Sequence, residues 1–326
     1  MRTALFSLAA FSLCLVAAPV FAQQKPLETQ EKSVVRFEIN VDKIVNSELG
    51  KQLDLQDKLQ NLPGVDPEEV DPSSISRVFG SMSLPDNMAA FQMMGSGDET
   101  MPLNMFTRLE FSNGEALESM IKKMAEKSED VTIGGKKFMK PTDADSPEGM
   151  LTHKIDSSTL EMGTEKYLTR ADREVNTDGL NKAWKMAPDH AIRIVVDVDG
   201  MADLKEELID FVAQMQPNAV AYAELLNNVS NLRITVDFDS DDLLTVSATG
   251  KDEEMAEEFA DGIDSILALG KMGMDPARAP NEEAASVLTA IRDAMEAKLD
   301  GKEISVRIPR PEGFNKLFEG MMIPGF

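Results

Sequence analysis

The chain has 326 residues, with 57 Asp and Glu against 33 Lys and Arg, a net charge of −24 and a single cysteine. So acidic a surface repels phosphate backbones and anionic lipid, which argues against nucleic-acid and peripheral membrane binding. The cysteine, Cys14, lies in the N-terminal apolar stretch, so the remainder has neither disulfide nor thiolate chemistry, and it is long enough to bury a core without staples.

Residues 1–22 read as a secretory signal. Arg2 gives the positive start, Ala4 to Val16 the apolar stretch, and Pro19 with Val20-Phe21-Ala22 the approach to a cleavage site. The expectation is an exported protein, periplasmic or secreted, cut after Ala22. Loss of Arg2 leaves 32 basic against 57 acidic residues, or −25. No later apolar run approaches the ~18 residues that span a bilayer, so no transmembrane segment is expected after cleavage. Residues 23–33 are polar and are expected to be a disordered mature N-terminus.

Val35, Phe37, Ile39 and Val41 alternate with polar residues, the pattern of a half-buried strand, and Asp42 suits the start of a helix running to about Leu59. Phe106 to Phe111 predicts a strand. Ser112 and Glu115 have capping-box spacing before a helix with Leu117, Met120, Ile121 and Met124 on one side. Hairpins follow, turning at Gly134-Gly135 and at Ser157-Ser158.

The pattern then recurs. Ala191 to Asp199 is a second strand ending on Asp, followed by a helix with Met201, Leu204, Leu208, Phe211 and Met215 on one face. A hairpin joins Asn231–Phe238 to Leu243–Thr249. Helices follow with Met255, Phe259, Ile263, Ile266 and Leu267 inward, and over Glu282 to Leu299 behind Asn281 as cap. Each half closes with a strand and a short helix, at Thr159 to Arg170 and at Ile304 to Met321. The expected fold is α+β: two related halves, 34–185 and 186–326, each a mostly antiparallel sheet with helices packed on one face. Residues 81–104, 141–149 and 273–281 read as long connections.

Leu160-Glu161-Met162-Gly163-Thr164-Glu165-Lys166-Tyr167-Leu168 resembles a phrase in exported proteins of planctomycete-like bacteria, where a strand, a Gly, a small polar residue and a Glu lead into a short helix. The resemblance implies export and a two-repeat α+β layout. It carries no catalytic residues.

Catalytic motifs are missing. His153 and His190 are the only histidines, and no Gly-x-Ser-x-Gly elbow or His-Glu-x-x-His accompanies them. Asp237 to Asp242 superficially resembles a calcium loop, but Asp242 and Ala248 stand where Gly and Glu are required, so an acidic hairpin turn is the better reading. Met82, Met88, Met93, Met94, Met101 and Met105 crowd one stretch. Thioethers fill irregular apolar surfaces, can form an adaptable ligand surface, and can bind Cu(I). Packing is the first reading of this cluster and an apolar ligand surface the second. No cofactor or metal is expected. The leading function is an exported, non-enzymatic binding or interaction protein of the cell envelope, its partner an unidentified protein or apolar small molecule. A carrier of lipid or another apolar ligand and a carboxylate-dependent hydrolase are the alternatives.

Overall fold

The computed structural model describes residues 32–60, 72–84, 105–142, 149–169, 176–215, 219–279 and 281–317. Its strands are β1 (Val35–Asn40), β2 (Ile75–Met82), β3 (Met105–Phe111), β4 (Ser128–Ile133), β5 (Lys136–Pro141), β6 (Met150–Lys154), β7 (Thr159–Thr164), β8 (Ile192–Asp197), β9 (Val229–Val236), β10 (Asp242–Gly250), β11 (Ala297–Asp300) and β12 (Glu303–Pro309). All twelve form one antiparallel sheet in the order β11-β12-β10-β9-β8-β1-β2-β3-β7-β6-β5-β4. Where a sheet in each half was expected, the two sets of strands join through β1 and β8. That pairing satisfies two strand edges that would otherwise present unpaired backbone groups.

The junction is regular. Phe37 lies opposite Ile194, Val35 opposite Val196, and Ile39 opposite Ile192. Moving outward, β1-β2-β3-β7-β6 on one side is matched in order by β8-β9-β10-β12-β11 on the other. The match extends to register. Val35 pairs with Met82 as Ile192 pairs with Val236. Ser81 pairs with Phe106 as Thr235 pairs with Thr245. Phe106 then pairs with Gly163 as Thr245 pairs with Arg307. The β2–β3 ladder shifts register between Ile75 and Arg77, and the β9–β10 ladder shifts at its corresponding end, between Thr249 and Gly250.

About ten helices accompany the sheet. Two cover the same apolar face: α4 (Gly114–Glu126) after β3 and α9 (Glu253–Gly273) after β10. Asn113 caps α4 by accepting from the Ala116 N–H, and Asp252 caps α9 by accepting from the Met255 N–H. The expected cap Ser112 instead gives its hydroxyl to the Ser74 carbonyl, because Asn113 is the residue placed to reach the first turn. Leu117 and Met120 of α4 pack with Phe37, Val78, Leu109 and Leu160. Ala256 and Phe259 of α9 pack with Val229, Ala248 and Ile304. Gly80 sits beneath this packing, where a Cβ would lie 2.5 Å from the Phe37 ring.

Other elements depart from the pattern read in the sequence. The helix expected to run to Leu59 is three short ones, α1 (Val41–Asn46), α2 (Glu48–Gln52) and α3 (Leu55–Gln60). Ser47 starts a new helix by accepting from the Gly50 N–H, and Asp54 takes a positive φ of 51° before α3. The helix expected over Glu282 to Leu299, capped by Asn281 as expected, stops at Ala294 as α10 (Glu282–Ala294). Its last residues become β11, because Gly301 at φ 59° turns the chain back into a hairpin with β12. Residues 275–279 hold a 3-10 turn capped by Asp275. Both expected hairpins are present, with Gly134 and Gly135 at positive φ in one and Asp156 holding the Ser158 N–H in the other.

The opposite face of the sheet is partly covered too. Helix α5 (Glu165–Leu168) lies over the first half, and α6 (Asp178–Met186) lies over β8, β9 and β1. Thr177 caps α6 and also gives its hydroxyl to buried Asp197. The α6 apolar side, Leu180, Ala183 and Trp184, packs on Val195 and Phe79. Two more helices, α7 (Ala202–Met215) and α8 (Val220–Glu224), follow β8.

Candidate functional site

The face that carries α5 and α6 is rich in arginine. By register it receives Arg36, Arg77, Arg108, Arg193, Arg233 and Arg307, six of the nine arginines among the described residues. Such a concentration in so acidic a chain calls for carboxylates at the same level, and they are there. Glu38, fully buried, holds Arg193 through its Nε at 2.7 Å and also pairs with Arg77. Fully buried Glu161 holds Arg108 at 2.7 Å, and Glu303 holds Arg233. Arg193 and Arg36 stack on the Trp184 ring at 3.9 and 4.3 Å from its centroid, on the side of α6 that meets the sheet. This part of the face is a structural ladder of charge: buried Glu38 and Glu161 and half-buried Glu303 each meet a guanidinium.

Beyond the ladder, in the second half, the same face opens into a groove of about 340 Å³. Its floor is β9, β10 and β12, which supply Arg233, Thr235, Thr245, Ser247, Glu303 and Arg307. One wall is the end of α6 and the segment after it, with Met186, Pro188 and His190. The β9–β10 turn closes another side with Ser240 and Asp242. The alternation of each strand makes this floor hydrophilic, because Leu232, Ala248 and Ile304 take the opposite face under α9.

The corresponding positions in the first half are filled. Where the groove has Arg233, Thr245 and Arg307, the register of the first half places Phe79, Phe106 and Gly163. Phe106 packs with Phe138, Leu151, Tyr167 and Leu168, and partly buried Phe79 joins them. Gly163 allows a close approach of β7 to β3: a Cβ there would lie 2.6 Å from the Met105 carbonyl oxygen. Tyr167 also shares a hydrogen bond with buried Ser33. One half of the face is plugged by apolar side chains, and the other is left polar and open.

Two arginines in the groove differ in kind. Arg233 is 6% exposed, and its partner Glu303 also accepts the Thr249 hydroxyl at 2.7 Å. Arg307 is 53% exposed, with Asp242, 36% exposed, at 3.1 Å. His190 sits at the rim with its Nδ1 2.9 Å from Asp237. The neighbouring Asp189 is pushed up by burial, but Lys43, helped by the charges of Arg193 and Arg77, holds its carboxyl below the ordinary value. Away from the groove, burial and the adjacent charge of Lys251 push the amine of Lys205 below the ordinary lysine value.

The residues singled out in the sequence are dispersed. Met82 and Met105 face each other across β2 and β3, with Met82 in the core under α4 and Met105 packed against it. Met88, Met93, Met94 and Met101 lie outside the described residues, as do residues 1–22. His153 contacts the Lys137 carbonyl at 2.7 Å and tilts on Phe138. In the acidic turn, Asp237 faces His190, Asp239 accepts the Glu48 N–H, and Asp242 faces Arg307. Among the described residues no group of three or more His, Cys, Asp or Glu is placed to hold a metal ion, and no helix is long and apolar enough to cross a membrane. Sequence reasoning missed β2 and α6. Gly80 and Ser81 dilute the alternation of β2, but Thr177-Asp178 before Leu180, Ala183 and Trp184 is a cap followed by a helical stripe and could have located α6.

No family model matches the chain. No curated protein matches it either. Among solved structures it is similar to TP0453 in crystal forms I, III and IV, at 8, 10 and 9% identity and a TM-score of 0.39 in each. Those alignments cover 88–89% of this chain and 94–95% of TP0453.

Proposed function

We propose that the protein is an exported, non-enzymatic binding protein of the cell envelope, and that the groove over β9, β10 and β12 holds a small hydrophilic ligand. One observation carries the reading: at matched positions of one sheet face, the first half is closed by Phe79, Phe106, Tyr167 and Leu168, while the second is left open with arginine and hydroxyl side chains. Hydroxyls and a half-exposed guanidinium offer orienting hydrogen bonds, and the volume is at the lower end of small-molecule sites.

The scaffold, in this reading, arose by duplication of one α+β unit. The mirrored strand order, the paired registers, the matching ladder shifts and the matched caps Asn113 and Asp252 all support it. Export follows from residues 1–22, and the resemblance to exported two-repeat proteins agrees with it. A purified mature protein beginning at Gln23 is the expected product.

The alternatives draw less support. An apolar cargo has no match in this groove, whose floor is charged and hydroxylated. A carboxylate hydrolase would need two working acids, whereas Glu303 and Asp242 are each engaged by an arginine. The test is thermal stabilisation of the protein by a panel of hydrophilic small molecules, repeated with Thr245→Phe. That variant installs the side chain found at the matched first-half position, Phe106. Wild type is expected to be stabilised by at least one compound, and Thr245→Phe, still folded, by none. A panel without effect on wild type, or lipid co-purifying in stoichiometric amount, contradicts the reading.

A further inference from the structure

We propose that the groove's ligand is a small zwitterion, a free amino acid or short peptide, which opens the Arg307–Asp242 pair and takes both partners for itself. The inference rests on the reading of the groove as a binding site and assigns the chemistry of what it binds.

The charges of the groove differ in whether a ligand can reach them. Arg233 is 6% exposed and Glu303 is fixed from two sides, by Arg233 and by the Thr249 hydroxyl. That pair is part of the floor. Arg307 and Asp242 are 53% and 36% exposed, held by a single contact at 3.1 Å. Exposed ion pairs of this kind contribute little to stability, so a ligand that offers equal partners can replace them.

The charge of the lining then selects among ligands. Its ion pairs are balanced: Arg233 with Glu303, and Arg307 with Asp242. A simple anion could take Arg307, but it would leave Asp242 without its partner and bring a second negative charge beside it. A simple cation would do the reverse to Arg307. A molecule carrying both a carboxylate and an ammonium meets both, the carboxylate on the planar fork of Arg307 and the ammonium on Asp242. The hydroxyls of Thr235, Thr245 and Ser247 then face the part between the two poles. The acidity of the whole chain points the same way, since it disfavours the approach of a ligand with net negative charge.

The experiment is calorimetric titration of the full mature chain with three probes: Ala-Ala, acetyl-Ala-Ala and Ala-Ala-amide. Wild type is expected to bind Ala-Ala at least about tenfold more tightly than either capped form, each cap removing one charged contact. Asp242→Asn is expected to bring acetyl-Ala-Ala to within about threefold of Ala-Ala. Arg307→Gln is expected to do the same for Ala-Ala-amide. Both side chains are well exposed, and unchanged melting of the unliganded variants establishes that they fold. Equal binding of all three probes by wild type, or variants that keep the wild-type preference, overturns the proposal. If a neutral or anionic compound binds in the groove while no dipeptide does, the proposal fails and the binding function stands. If nothing binds there, both fail.

Discussion

The two halves of the sheet share strand order and register and differ in what lies on one face. At the place where the first half carries Phe79, Phe106 and Gly163, with Tyr167 and Leu168 packed over them, the second carries Arg233, Thr245 and Arg307 in an open groove. Backbone geometry therefore does not decide which face position becomes a site. Side-chain volume does: three residues at matched positions convert a plugged surface into a hydrophilic hollow. The opposite face teaches the converse, since α4 and α9 close it in both halves with the same spacing of buried residues, Leu117 and Met120 against Ala256 and Phe259.

The sharpest way to break this comparison is to cut each half at the matched place. Leu168→Ala removes a fully buried side chain from the plug and is expected to cost about 3 kcal/mol in chemical denaturation. Thr245→Ala in the groove is expected to change stability by less than about 0.5 kcal/mol. Comparable losses from the two would mean that the groove is as tightly packed as the plug.

A second cut goes to the seam. Glu38→Gln keeps the shape of the side chain but removes the charge that Arg193 and Arg77 share, and about 2 kcal/mol of stability is expected to go with it. A neutral result in urea unfolding would show that the ladder contributes little across the junction. The matched caps provide a gentler test. Asn113→Ala and Asp252→Ala are each expected to cost about 1 kcal/mol, and unequal costs would argue against equivalent roles.

The smallest expected effect concerns an asymmetry. Lys205, at the start of α7, is the one buried lysine among the described residues, and its amine lies below the ordinary value because of burial and Lys251. A group so depressed binds fewer protons folded than unfolded. Wild-type stability should therefore rise with pH from the folded value toward the ordinary lysine value of about 10.4. Lys205→Met is expected to stabilise by roughly 0.5 kcal/mol near neutral pH, with the gap closing as the solution becomes alkaline. Thermal melts at pH 7 and pH 10 check the sign.

Local signals made much of this fold legible. The alternation of Val35, Phe37 and Ile39, the glycine pair at 134–135 and the stripe of α9 each reflect a short-range rule and locate a strand, a turn and a helix of the fold, although Ile266, expected to face inward on α9, is exposed. The helix expected through Leu299 failed for a tertiary reason: pairing with β12 outweighed the local helical composition of residues 295–299. The groove was out of reach for a similar reason. Arg233, Thr245 and Arg307 stand far apart in sequence, and only the strand order brings them together. The methionine cluster attracted attention by composition alone, and its two described members are packing residues.

The most direct measurement is an amide chemical-shift map of the isotope-labelled mature protein, titrated with any hydrophilic compound that stabilises it. The account predicts saturable shifts at Arg233, Thr235, Thr245, Ser247 and Arg307, with the matched residues Phe79, Ser81, Phe106, Arg108 and Gly163 unmoved. Shifts centred on those first-half residues, or spread evenly over both halves, would contradict it.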